Sequence, residues 1–190
     1  MQMLTKLLIE QKDIFLAPGH YFHSEFNGVI YDQLPPLLQK QHNQKLIEKY
    51  TLLIPNNQTA FLPKILSTHW NKLPIIAVHL GEILHLQSVS MSGKILNNER
   101  LQHYFHQPLN PMKILNNNIE TRLIASGAAQ VLLCLAPFGH AYTQRAKYMF
   151  NTQVQKRIPN CNNPILPWNI IEKTCNYLSG HEKNENTAPH

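Results

Sequence analysis

Apolar residues at helical spacing, repeatedly introduced by proline, constrain this chain more than anything else in it. Leu73, Ile76, Ala77, Leu80 and Leu84 fall on one helix face, and Pro74 sits in the first turn, where its missing N–H is no loss. Ile124, Gly127, Ala128, Val131 and Leu135 repeat the spacing, and Pro137 followed by Gly139 predicts the end of that helix. The segment is apolar on nearly all sides and is expected at the centre of the fold. A third stripe, Ile171, Thr174, Cys175 and Leu178, is opened by Pro167 and closed by Gly180. Strand alternation does not recur. The pattern predicts an all-α chain.

Weaker helical patterns cover residues 4–16, 37–50, 63–70, 99–106 and 142–154, separated by Asn- and Pro-rich turns at 56–57, 97–98, 108–111, 116–118 and 160–164. Asn suits such places because its side chain bonds nearby backbone at turns and helix caps. About seven or eight short helices joined by short loops follow from this punctuation. With 190 residues one compact domain is expected, over residues 1–178. From Ser179 to Asn186 there is no apolar residue, so residues 179–190 are expected to form a disordered polar tail.

Hydrophobic residues are 43% of the chain, enough for a core without disulfides, while charged residues are only 15%. The three cysteines, Cys134, Cys161 and Cys175, are odd in number and form no Cys-x-x-Cys pair, which argues for reduced thiols rather than a disulfide framework or a zinc ribbon. No uninterrupted apolar run reaches the roughly 18 residues of a bilayer span, and the N-terminus lacks a secretory apolar region. A soluble cytosolic protein with no direct membrane insertion is the expectation.

The formal charge is +6, and its placement is uneven. Between Glu120 and Glu172 there is no acidic residue, while Arg122, Arg145, Lys147, Lys156 and Arg157 are all cationic. Such a stretch could face nucleic acid, anionic lipid or an acidic protein surface, or simply water. Tyr142, Tyr148 and Phe150 interleave with the cations, but Tyr142, Arg145, Ala146 and Met149 also make an ordinary helical stripe. A small basic nucleic-acid-binding regulator is the alternative reading.

Catalytic chemistry finds little support. The chain has 11 histidines, and His20 with His23 and His103 with His106 are three apart, but only Glu99 stands near either pair as a further ligand. Ser126 and Gly127 lie inside an apolar helix, where small residues permit close helix contact, and Cys134 has no charged neighbour to lower its pKa. There are 7 glycines and no phosphate-cradling loop. The chain is expected to be no enzyme and to hold no cofactor or metal.

Trp70, Leu73, Pro74, Ala77 and Gly81 resemble the Trp-x-x-Leu-Pro-x-x-Ala-x-x-x-Gly segment of the OrgA/MxiK (SctK) family of type III secretion accessory proteins. Phe15, Pro18, Tyr21 and His23 resemble the family's Phe-x-Pro-x-x-Tyr-x-His, with one extra residue between Phe15 and Pro18. A softer similarity runs from Leu123 through Gly127, Ala129, Gln130 and Val131 to Gln144 and Arg145. Tyr21, His23, Trp70, Leu73, Pro74 and Gly81 read as architectural residues, with the Trp70 indole packing across a helix corner and its N–H expected on a loop carbonyl.

The resemblance implies a helical adaptor of the cytoplasmic sorting platform, peripheral to the bacterial inner membrane and needed for assembly and secretion. Its implied partners are the inner-membrane ring protein of the PrgH/MxiG type and the pod protein of the SpaO/Spa33 type, and through the latter the stator and ATPase. An adaptor needs two faces. Arg145, Lys147, Lys156 and Arg157 are candidates for docking on an acidic partner surface, and the helix at residues 4–16 for the other.

Overall fold

The computed structural model describes residues 2–89, 117–160 and 164–185. In order these form α1 (Gln2–Glu10), α2 (Lys12–Leu16), α3 (Ser24–Asn27), α4 (Pro36–Lys49), α5 (Lys64–Thr68), α6 (Leu73–Val89), α7 (Asn117–Leu135), α8 (His140–Lys147), α9 (Thr152–Arg157) and α10 (Trp168–Glu185). Short 3-10 turns stand at Pro18–His20, Tyr31–Gln33, Trp70–Lys72, Ala136–Phe138 and Ile158–Asn160. There is no strand among the described residues. The fold is all-α, as the spacing predicts.

At the centre α6 lies against α7, the most extensive contact between elements. Gly81 and Gly127 make that closeness possible. A Cβ built on Gly81 would stand 2.1 Å from the Leu123 carbonyl oxygen, and one on Gly127 would stand 1.7 Å from the Ala77 carbonyl oxygen. Neither neighbour can yield, because both are helical backbone. Leu73, Ile76, Leu80 and Ile83 of α6 and Ala125, Ala128, Val131 and Leu135 of α7 are buried around this contact, in one core cluster that also takes in residues from α1, α2, α4, α5, α8, α9 and α10. α8 and α9 pack on α7, while α10 packs on α5 and α6 through Ile170, Ile171, Cys175 and Leu178.

Helix ends follow local chemistry. Ala136–Phe138 and then Gly139, at φ 129°, stop the α7 direction where Pro137 and Gly139 predict it. The expected helix at 4–16 is broken at Gln11, whose buried side chain leaves the helix pattern: its Nε2 donates to the Leu62 carbonyl and its Oε1 accepts from the Tyr142 hydroxyl. The expected helix at 142–154 is likewise two, because Asn151 caps α9 by accepting from the Val154 N–H at 2.9 Å.

α10 runs to Glu185, past Gly180, so the segment expected as a tail from Ser179 is helical as far as that residue. Ser179 is tied in: its hydroxyl lies 2.6 Å from His69 Nε2. Residues 186–190 and the helix expected at 99–106 lie outside the described residues. Ile119–Phe138 is long and apolar enough to cross a bilayer by length and composition. The segment is not an uninterrupted apolar run, because Glu120, Arg122, Ser126 and Gln130 break it. In the fold it is the central helix, covered by α6, α8 and α9.

In an exposed helix Gly→Ala would add about 1 kcal/mol of stability. Here Gly127→Ala should instead lose about 3 kcal/mol through overpacking, read as a lower urea midpoint. Gly81→Ala should move the midpoint the same way.

Candidate functional site

Arg145 is 2% exposed, so it is not a surface docking residue. The charge-based expectation for it is corrected by the direction of α8, which turns the Tyr142, Arg145, Ala146 and Met149 stripe inward. Its Nη1 donates to the Leu53 carbonyl at 2.6 Å and the Ala141 carbonyl at 3.1 Å, and its Nη2 donates to the Phe15 carbonyl at 3.2 Å. The guanidinium also lies 5.1 Å from the Phe15 ring centroid. Burial works against its charge and lowers its pKa, while Tyr21 and Tyr142 beside it act in the opposite sense. The carbonyl oxygens, not a carboxylate, compensate the cation.

Beside it Gln144 holds an extended strap. Leu53 N–H donates to Gln144 Oε1 at 2.7 Å, and Gln144 Nε2 donates to the Thr51 carbonyl at 3.1 Å. One side-chain amide thus pairs with the N–H of one residue and the C=O two before it, as a neighbouring strand would. Gln130 repeats the device on α7: it accepts from Leu166 N–H at 2.9 Å and donates to the Pro164 carbonyl at 3.1 Å. Thr51 has φ 48°, an uncommon conformation for a β-branched residue. The α4 exit is therefore fixed against its own backbone preference by the bonds around it.

These straps display apolar side chains. Leu53 is 41% exposed and Ile54 75%, while Leu16, next to the Phe15 carbonyl that Arg145 holds, is 56% exposed. On the second strap Ile165 is 74% exposed. Sequence periodicity alone marks none of them as functional, and the glutamines that place them sit in the softer family similarity without an assigned role.

The remaining basic candidates divide. Lys147 and Lys156 are exposed, and Arg157 is half-buried. The acid-free stretch of sequence is not acid-free in space. Glu25 of α3 accepts from the Thr152 N–H at 2.9 Å and from the Thr152 hydroxyl, so a carboxylate stands at the start of α9, near Lys156. Those bonds hold the Glu25 carboxyl below its ordinary range. His23, in turn, caps α3 by accepting from Glu25 N–H at 3.2 Å, and its own N–H donates to the Tyr148 carbonyl at 2.9 Å. The His23 and Glu25 pair thus ties the N-terminal segment to the ends of α8 and α9.

The other architectural residues lie in the core. Tyr21 donates its hydroxyl to the Ile14 carbonyl and meets Trp70 edge-on at 5.7 Å between ring centroids. Trp70 is buried, and its Nε1–H makes no hydrogen bond, which corrects the expected loop carbonyl: the indole is surrounded by Tyr21 and Tyr142 rings instead. Leu73 and Gly81 are buried on α6, and Pro74 occupies its first turn.

Among the described residues no group of three or more His, Cys, Asp or Glu could hold a metal ion. The His103 and His106 pair with Glu99 lies outside the described residues. Burial raises the Cys134 thiol to about 11 and the Cys175 thiol to about 12, which keeps both protonated near neutrality. Cys161 lies outside the described residues.

A family model described as a bacterial type III secretion apparatus protein (OrgA_MxiK) matches residues 11–167. No curated protein and no solved structure matches the chain.

Arg145→Met should lower stability by about 3 kcal/mol in urea denaturation, because three carbonyls lose their donor. Arg145→Lys should recover only part of it, since an ammonium cannot span the same fork. The depressed Glu25 pKa gives a contribution present above the unfolded carboxylate value and lost as pH falls through the folded one. The Thr152 amide resonance should therefore move through an acidic transition in an NMR titration, and Glu25→Gln should abolish that transition.

Proposed function

The chain belongs to the OrgA/MxiK family of bacterial type III secretion apparatus proteins, and we propose on that footing that it is the cytosolic adaptor of the sorting platform. It links the cytoplasmic domain of the inner-membrane ring protein to the pod protein, and assembly and secretion depend on it. The observation that carries this reading is a helical body in which buried Arg145 and Gln130 and half-buried Gln144 fix backbone straps bearing exposed aliphatic side chains. Such an arrangement suits binding, where rigid display limits the entropy lost on association. The raised thiols and the inward Arg145 favour a coupling over a catalyst.

Two faces are available on different parts of the body. One comprises the α8 side, with the Leu53 strap and Lys147, and the other the α7 side, with the strap at Ile165. Moving Arg145 inside also weakens the nucleic-acid alternative, which relied on that cation at the surface.

A tagged copy expressed in the source bacterium under secreting conditions should bring down both the ring and the pod proteins, and deletion should stop export. Recovery of neither partner, or salt-dependent retention of DNA in their place, would reject the adaptor reading.

A further inference from the structure

We propose that Leu16, Leu53 and Ile54 form a docking surface for an amphipathic segment whose apolar face is flanked by carboxylates. The proposal rests on the adaptor reading for the identity of its partner, and on geometry alone for its place and chemistry.

The three aliphatic residues come from separate parts of the chain, α2 and the strap after α4. One guanidinium brings the backbones that carry them together, because Arg145 holds the Phe15 carbonyl, next to Leu16, and the Leu53 carbonyl, next to Ile54, at once. Gln144 fixes the strap by two further bonds. All three side chains are exposed on backbone that cannot withdraw them, and Pro55 follows Ile54 directly. An apolar display held in this way is pre-organised for a partner.

The rim selects the partner's charge. Lys147 stands three residues after Gln144 on α8, hence on the same helix face as the residue that clamps Leu53. Lys49 Nζ lies 4.9 Å from the Tyr50 ring centroid, and that ring packs on Tyr148 at 4.6 Å, which places a second ammonium at the α8 end of the surface. The nearby acids, Glu48 and Asp13, are exposed, but each adjoins an exposed lysine, Lys49 and Lys12, and Lys147 has no acid beside it on α8. Carboxylates of the partner are therefore expected over Lys49 and Lys147, with its apolar residues over Leu16, Leu53 and Ile54. The strap at Ile165 is the internal comparison: it also exposes an aliphatic residue, but the α7 positions three and four residues from Gln130 are Ser126, Gly127, Leu133 and Cys134, with no lysine.

The test is a fluorescence-anisotropy titration of the full chain with two synthetic amphipathic helices, one with Leu on one face and Glu on the other, the second with Lys in place of Glu. The Leu/Glu peptide should bind wild type at least about tenfold more tightly than the Leu/Lys peptide, Ile54→Asp should weaken it about tenfold, and Ile165→Asp should not. Lys147→Glu should weaken it severalfold and flatten its salt dependence. Leu16→Asp provides a second apolar variant, and melting curves confirm that each variant is folded. Absence of binding by wild type, equal binding of both peptides, unchanged binding by both Ile54→Asp and Leu16→Asp, or an equal loss in Ile165→Asp overturns the proposal. With purified ring domain and pod protein, Ile54→Asp should lose one and keep the other. If wild type binds neither protein, the adaptor reading fails, while the peptide titration still decides the surface.

Discussion

The contact between α6 and α7 at Gly81 and Gly127 sets the distance from which the other elements are placed. Two helices whose backbones meet cannot slide apart to admit a bulkier side chain, and they cannot rotate without driving a carbonyl into a neighbour. Once that pair is fixed, the outer faces of α7 receive α8 and α9, and α6 receives α10. The polar groups that matter for display are carried on this frame: Gln130 on α7 itself, Gln144 and Arg145 on the helix that follows it. Precision at the surface is inherited from closeness at the centre.

Much of this frame is legible in the residues. The stripe from Leu73 to Leu84, the stripe from Ile124 to Leu135 and the proline-led start of α10 each state their own period, because an apolar face at helical spacing has few other uses. Ends set by Pro137 and Gly139 are equally plain, since proline and glycine act on the backbone directly. Breaks at Gln11 and Asn151 are harder to see: a polar residue within a helical pattern reads as solvent-facing until a distant partner turns it inward, and those partners are Leu62 and Tyr142 for Gln11. α10 shows the opposite error, continuing through a stretch whose composition offers no apolar reason to do so.

The site was less legible for the same reason. A charge count treats every cation as exposed, yet Arg145 is enclosed, and Glu25 stands beside a stretch that contains no acid of its own. Formal charge along a sequence and potential around a folded surface are different quantities, and only long-range contacts convert one into the other. Tyr21, His23, Trp70 and Gly81 are held by packing and hydrogen bonds, whereas the aliphatics proposed for docking are ones that no periodicity singles out.

Gln130 and Gln144 each use a single amide as donor and acceptor at once. Glutamate there would keep the acceptor but turn a second lone pair toward a backbone carbonyl, and asparagine would fall one methylene short. A carboxylate in place of either amide would therefore release a strap, at Gln144 on the half-buried side of α8 and at Gln130 within the buried face of the central helix.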